Sequence, residues 1–271
     1  MTPTLAGEAK QTMRAIVQEG YGSADALKLR VIERPALAEG GVLVRVRAAS
    51  VNALDWHFVH GGLMIRAVST LMRQKDEPVR GVDVAGVVEA VGPNVTRFGP
   101  GDEVFGGAPA AFAEYALARE DRLALKPRNV SFEQAAAVGV AGRTALQSLR
   151  DHAQVKPGQR VLVNGGGGGV GTFAVQIAKA LGARVTAVTG ARNLEVVRAL
   201  GADEVVDYTK RTSCGAVSAT TRSWMSPRTA HSRICGAPCR PTGSSCSSEQ
   251  TSAVGPRSSP VSLLRSCARA F

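Results

Sequence analysis

The stretch from Arg160 to Ala183, RVLVNGGGGGVGTFAVQIAKALGA, constrains the fold of this chain more than any other. Arg160 to Asn164 is a short run rich in Val and Leu, the composition of a strand buried on both faces of a parallel sheet. Five glycines follow. Val170, Phe173, Ala174, Ile177, Ala178 and Leu181 then recur at helical spacing, and Gly182 stands where a helix C-terminus favours positive φ. Arg184 to Val188 reads as a second strand. Five glycines could form a flexible loop, but strand, glycine turn, helix and strand in this order make a dinucleotide-binding unit. Gly166 is expected to form the tight turn, Gly168 to let backbone approach a pyrophosphate, and Gly171 to bring helix and strand close. The helix start, with Gly169 and Val170, then presents N–H groups to the phosphates.

The end of the second strand bears on which dinucleotide is bound. NAD sites place Asp or Glu about 20 residues past the glycines to hold the ribose 2′-OH, whereas NADP sites have small or basic residues there. This chain has Thr189, Gly190, Ala191, Arg192 and Asn193. With no carboxylate available, and with Arg192 suited to a 2′-phosphate, NADP(H) is the expected cofactor. The alternative is that Arg192 is a solvated first-turn residue of the next helix.

The net charge of +11 over 271 residues resembles a nucleic-acid signal until it is located. Lys210 to Phe271 carries nine Lys and Arg against the single acid Glu249, so Met1 to Thr209 carries only +3. All five cysteines (Cys214, Cys235, Cys239, Cys246 and Cys267) lie in that last segment. Met1 to Thr12 is polar, which fits a disordered leader rather than a signal peptide. No apolar run reaches the length of a membrane span, so neither a membrane nor a nucleic acid is an expected partner and a cytoplasmic location is expected.

Between leader and glycine turn, Val42, Val44 and Val46 alternate with Leu43, Arg45 and Arg47. This period of two, punctuated by Gly and Pro, predicts short strands in a compact β domain. Asn52, Asp55 and Trp56 follow at a strand end. Leu63 to Lys75 is an apolar patch with basic residues, Gly81 to Gly92 is strand-like, Phe98 to Gly106 is a turn and strand, and Ala113 to Leu125 is a further pair of strands. From Ser131 the period becomes helical, with Ser131 and Gln134 forming a capping box and helical character running from Ala135 to Leu149 except around Gly139 to Gly142.

These segments carry a family resemblance. VNALDW (Val51 to Trp56), GVDVAGVVEAVGPNVTRFGPGDEVFG (Gly81 to Gly106), AFAEYA (Ala111 to Ala116), AAAVGVAGRTAL (Ala135 to Leu146), the glycine segment and LGADEVVDY (Leu200 to Tyr208) resemble the medium-chain dehydrogenase/reductase superfamily, most nearly its zinc-free quinone oxidoreductase branch. The resemblance runs from Met13 to about Tyr208. It implies an α/β chain: a GroES-like, β-rich catalytic domain over residues 13–134, a partial Rossmann domain over 135–209, and an unstructured tail over 210–271. It also implies NADPH-dependent reduction of a quinone or α,β-unsaturated carbonyl, often by a homodimer. By the same resemblance Asn52 would lie near the nicotinamide ribose, Thr144 near the nicotinamide amide, and Arg192 and Tyr208, beside Thr189, at the 2′-phosphate. Asp55 reads equally as an acid or as a structural partner. No general acid stands out, so water is the expected proton source.

Zinc is not expected. Zinc members carry a Cys after the first β segment and a GHE motif where this chain has Gly81, Val82 and Asp83, and Met1 to Thr209 contains no cysteine. His57, His60 and His152 read as surface or packing residues.

After Tyr208 the resemblance stops, and 20 of the 62 residues from Lys210 are Ser or Thr. No helix or strand period is evident there before VSLL near the end, and such a composition cannot bury enough apolar surface to offset its ordering entropy. A cysteine-rich module lacks a second close pair to match Cys235 and Cys239. A nucleic-acid tail lacks aromatic groups beyond Trp224 and Phe271. A shifted reading frame fits better, because the unique codons of Trp224 and Met225 give a hydrophobic residue followed by Asp when read from the preceding base. On that reading three strands of the nucleotide domain remain, and the alternative to an active reductase is a truncated relative with at most partial nucleotide binding.

Overall fold

The structure is a computed structural model that describes residues 11–62 and 79–210, together with the backbone of 222–225. The expectations for the leader, for Leu63 to Lys75, for the five cysteines and for the rest of the tail lie outside the described residues.

The first half is antiparallel. β1 (Thr12–Gln18) and β2 (Leu27–Glu33) pair as a hairpin. β3 (Gly41–Ser50), β4 (Asp83–Val91), β5 (Glu103–Gly107), β6 (Tyr115–Arg119) and β7 (Leu123–Leu125) form one sheet in the order β6-β3-β4-β5-β7. The alternation seen in the sequence is the reason this sheet has an inside. Val42 and Val44 are fully buried with Val84, Val88, Val104 and Phe98, while Arg45 and Arg47 are exposed on the other face. Burying each such side chain contributes about 1.5–3 kcal/mol. Register shifts between Leu43 and Val44 and between Val46 and Ala48 bend β3 before its end at Ser50.

A short helix, α1 (Ala53–His60), leaves that end and stops at Gly61 in the left-handed conformation. After β7, α2 (Phe132–Ala136) starts from the expected cap. Ser131 Oγ accepts the Gln134 N–H at 3.2 Å, and Gln134 Oε1 accepts the Ser131 N–H at 3.0 Å. Ala135 and Ala136 pack on Ala85 of β4, so α2 rests on the antiparallel sheet. The expected lapse around Gly139 to Gly142 does not occur: α3 (Gly139–Leu146) starts at those glycines, its first turn held by the Val140 N–H on Asp83, and continues into a π-helical turn, Gln147–His152, that carries the fully buried Leu149.

The second half is parallel: β8 (Arg160–Asn164), α4 (Gly169–Ala180), β9 (Arg184–Thr189), α5 (Leu194–Ala199), β10 (Glu204–Asp207) and β11 (Arg222–Met225). Strand order is β10-β9-β8-β11. Ala145, Leu149, Val161, Val163, Val175, Val185 and Val197 form its core.

β11 corrects the expectation of three strands and of no regular structure before VSLL. Arg222 to Met225 lies parallel to β8 with Arg222 opposite Val161 and Met225 opposite Asn164. A four-residue strand bordered by Ser and Thr has too little apolar periodicity to be read from sequence; its place comes from pairing with the open edge of β8. The consequence is geometric. Chain order on the sheet reverses between β8 and β11, and α/β proteins bind ligands outside the strand ends at such a point. Among the described residues no helix is long and apolar enough to cross a membrane.

Candidate functional site

The glycine turn sits at the C-terminal end of β8, beside that reversal. Gly165 has a φ of 81°, and the N–H groups of Gly165 and Gly166 both donate to the Val188 carbonyl at 2.9 Å. The tight turn therefore falls at Gly165, one residue before Gly166 where the sequence pattern placed it. Gly166 is instead buried against β9, where an added Cβ would lie 3.0 Å from that of Ala187. Gly171 performs the close packing expected of it. A Cβ there would collide with the Gly165 carbonyl and stand 2.9 Å from Gly166 Cα.

Gly168 and Gly169 differ from these. Both are exposed, neither has positive φ, a Cβ on Gly169 would meet nothing within 4 Å, and one on Gly168 would only touch the Gly165 carbonyl at 3.4 Å. The fold itself does not require glycine at either position. Gly168 is the N-cap of α4, and the first bond of the helix runs from the Thr172 N–H to the Gly168 carbonyl at 2.9 Å. The N–H groups of Gly169 and Val170 precede that bond and lack helical partners. A bare backbone surface with forward N–H groups fits the pyrophosphate of a dinucleotide.

The ends of β9 and β10 form the rim beyond the turn. Gly167 lies close against it: a Cβ there would be 2.6 Å from Thr189 Oγ1 and 2.5 Å from Asn193 Nδ2. The Tyr208 N–H donates to the Thr189 carbonyl at 3.2 Å, and the Tyr208 ring covers Gly190, while Tyr208 stays 63% exposed. Arg192 lies in the single 3₁₀ turn Ala191–Asn193, exposed and making no hydrogen bond or ion pair with another described residue. Thr189, Arg192 and Tyr208 thus come to one rim. Asn193 joins them, and the only sequence signal for it was its place directly after Arg192.

Asn52 and Thr144 lie on the other side, where the two halves meet. Asn52 is the N-cap of α1, and its N–H donates to Asp55 Oδ2 at 2.7 Å. Asp55 is therefore a helix-cap partner rather than a strand-end residue. It is 3% exposed, and burial raises its carboxyl above the ordinary 3.8, with the Asn52 N–H opposing that rise and the nearby Asp83 adding to it. Behind it, buried Arg80 donates to buried Gln18, and burial lowers the pKa of Arg80.

The residue that joins the two halves is Asp83, which is fully buried. Its Oδ2 accepts from Asn52 Nδ2 at 2.9 Å and from Ser50 Oγ at 3.0 Å, and its Oδ1 accepts from the Val140 N–H of α3 at 2.8 Å. Burial raises its pKa, against these donors and the charge of Arg143. Thr144 is half-buried on the same helix, one turn beyond Val140. Sequence reading saw Asp83 only as the residue standing in the place of a zinc-site motif. Its partners are 31 and 57 residues away in the chain, so no local pattern shows them.

Among the described residues no three His, Cys, Asp or Glu side chains group so as to hold a metal ion. His57 and His60 lie on α1, where the His60 ring stacks on Trp56 at 5.7 Å, and His152 is exposed at the end of the π-helical turn.

Two family models match this chain: the alcohol dehydrogenase GroES-like domain over residues 38–128 and the zinc-binding dehydrogenase domain over residues 169–228. The chain belongs to the medium-chain dehydrogenase/reductase superfamily. The second match passes beyond Tyr208 and takes in β11, so the superfamily likeness extends further than the motifs suggested. The chain is 40% identical over 210 residues to a quinone-oxidoreductase homolog of Spinacia oleracea, covering 74% of this chain and 62% of that protein. It is 38% identical over 214 residues to an NADPH-dependent alkenal/one oxidoreductase of Arabidopsis thaliana, covering 73% and 53% respectively. Both of these superfamily members are chloroplastic. The solved quinone oxidoreductase of Coxiella burnetii superposes with a TM-score of 0.70 at 34% identity, over 77% of this chain and 66% of that one. The chain therefore spans less than two thirds of the length of these relatives.

Proposed function

We propose that this protein binds NADPH across the glycine turn and reduces a quinone or an α,β-unsaturated carbonyl without zinc. The observation that carries the reading is the pairing of two features at one strand-order reversal. Gly168 and Gly169 keep their Cβ positions open without any need of the fold, and the stretch from Thr189 to Asn193 that leaves β9 offers Arg192 and no carboxylate.

The N–H groups of Gly169 and Val170 hold the pyrophosphate. Gly165 sets the turn, and Gly166 and Gly171 allow the close packing that aims them. Arg192 pairs with the 2′-phosphate, Thr189 offers a hydroxyl, and Tyr208 closes the rim with its exposed ring. Asn52 holds the nicotinamide ribose and Thr144 the nicotinamide amide. The bound nicotinamide supplies the hydride, and the protein supplies position and electrostatics. Asp55 is committed to capping α1 and is not the proton donor; water protonates the product. Zinc independence rests on the donor set, since Met1 to Thr209 has no cysteine and the Asp83 carboxylate is shared among three donors within the protein. In this reading residues 13–134 carry the substrate and residues 135–209 the nucleotide.

Mixing the full chain with NADPH and a simple benzoquinone, and separately with an enone, tests the proposal through loss of the reduced-nicotinamide absorbance. The expected result is consumption of NADPH equal to substrate reduced, unaffected by a chelator. NADPH binding without turnover on any quinone or enone would contradict it.

A further inference from the structure

Asp83 has the least exposed charged side chain among the described residues, yet no cation is hydrogen-bonded to it. What satisfies it is a set of three donors from three places: Ser50 at the end of β3, Asn52 at the start of α1, and the backbone of Val140 in the first turn of α3. The contact with α3 is close by construction. Gly139 has no side chain, and a Cβ there would overlap the carboxylate, lying 2.8 Å from Asp83 Cγ and 3.0 Å from the Gly106 carbonyl. One buried group thus spans from the antiparallel sheet to the helix that leads into the nucleotide-binding half.

The chemistry requires a carboxylate. Its two oxygens only accept, so one can face the Val140 N–H while the other faces the Asn52 amide and the Ser50 hydroxyl. An amide of the same shape has one acceptor oxygen: its NH₂ group would face either the Val140 N–H, which only donates, or the Ser50 and Asn52 side chains, which would have to turn to accept. A buried donor left unmatched is costly, so three donors on two oxygens favour Asp over Asn here.

We propose that Asp83 is a positioning residue that holds the Asn52 amide and the Thr144 face of α3 in fixed relation, so that both sides of the nicotinamide pocket are set by one carboxylate. Val140 and Thr144 are four residues apart and share a helix face, so a shift at the Val140 N–H carries Thr144 with it. This rests on the function proposed above for Asn52 and Thr144.

The test uses the full chain and reads amide hydrogen exchange together with NADPH affinity. In Asp83→Asn the Val140 amide is expected to exchange at least about tenfold faster while the Val163 amide, in the core of β8, is unchanged. The Kd for NADPH is expected to rise about tenfold, and kcat to fall with KM for the quinone held, as for loss of alignment rather than of substrate binding. Ser50→Ala is the milder variant and serves if Asp83→Asn does not fold. It removes one donor from Oδ2 and also the acceptor of a second bond from Asn52 Nδ2, at 3.3 Å, and is expected to weaken NADPH binding about threefold, with Val140 protection intact. Normal Val140 protection and NADPH affinity in Asp83→Asn would overturn the proposal, as would wild-type NADPH affinity in Ser50→Ala. Should the wild-type chain bind no NADPH, the functional reading falls, and exchange at Val140 still decides whether Asp83 couples the two halves.

Discussion

The glycines of the turn fall into two kinds, and a pair of Gly→Ala substitutions separates them. At Gly171 an added methyl meets the Gly165 carbonyl and stands 2.9 Å from Gly166 Cα, so backbone must move. Overpacking of this kind costs about 1–3 kcal/mol, and contact with backbone rather than with a flexible side chain places Gly171→Ala near the upper end. For a protein of this size, about 3 kcal/mol is a fall in Tm of roughly 6–12 °C. At Gly169 the methyl meets nothing within 4 Å and the backbone is not left-handed. Losing glycine's unfolded-state entropy there stabilises by up to about 1 kcal/mol, so Tm stays level or rises by roughly 2–4 °C. Yet Gly169→Ala puts a methyl on the surface assigned to the pyrophosphate. Loss of about 1.5–3 kcal/mol of binding weakens NADPH by roughly 10- to 150-fold. Thermal unfolding and NADPH titration on the same two variants give the result. Wild-type NADPH affinity in Gly169→Ala, or a wild-type Tm in Gly171→Ala, would show that the glycines do not divide in this way.

Arg192→Ala is expected to weaken NADPH by about tenfold and to leave NADH unchanged, since only the 2′-phosphate distinguishes them; competition titrations with the two nucleotides check it. Asp203 accepts from Lys179 at 2.8 Å and from the Val185 N–H at 2.6 Å, and these hold its carboxyl below the ordinary value, the Lys179 bond most strongly. A lowered folded pKa gives stability that is present above pH 3.8 and lost as pH falls through the folded value. Asp203→Asn should therefore lower Tm at pH 7, with the difference closing in acid. Asp55 has the opposite sign. Its folded pKa is raised, so the native state holds the extra proton and stability falls as pH rises from 3.8 through the folded value. Asp55→Asn should flatten that slope in chemical denaturation between acid and neutral pH.

What could be read from the sequence was local. Arg160 to Asn164, the glycines and the helix after them announce themselves because strand, turn and helix periods follow within a couple of dozen residues; β8 spans the residues expected of it. The Ser131 and Gln134 cap was legible for the same reason, a reciprocal pattern four residues long. The turn falling at Gly165 was hidden, because five identical residues offer no way to choose which one takes positive φ. Asp55 was ambiguous until α1 placed it in the first helical turn. Asp83 could not be read as a site at all, since its meaning lies in donors brought from Ser50, Asn52 and Val140 by sheet register and helix packing. β11 failed for a related reason: four residues among Ser and Thr become a strand only because β8 has an edge to pair with.

Equilibrium titration of the full chain with NADPH and with NADH, followed by nicotinamide fluorescence, decides whether the glycine turn and its rim form an NADPH site. Saturable binding of one NADPH per chain is expected, at least about tenfold tighter than NADH. Absence of saturable NADPH binding, or tighter binding of NADH, would contradict it.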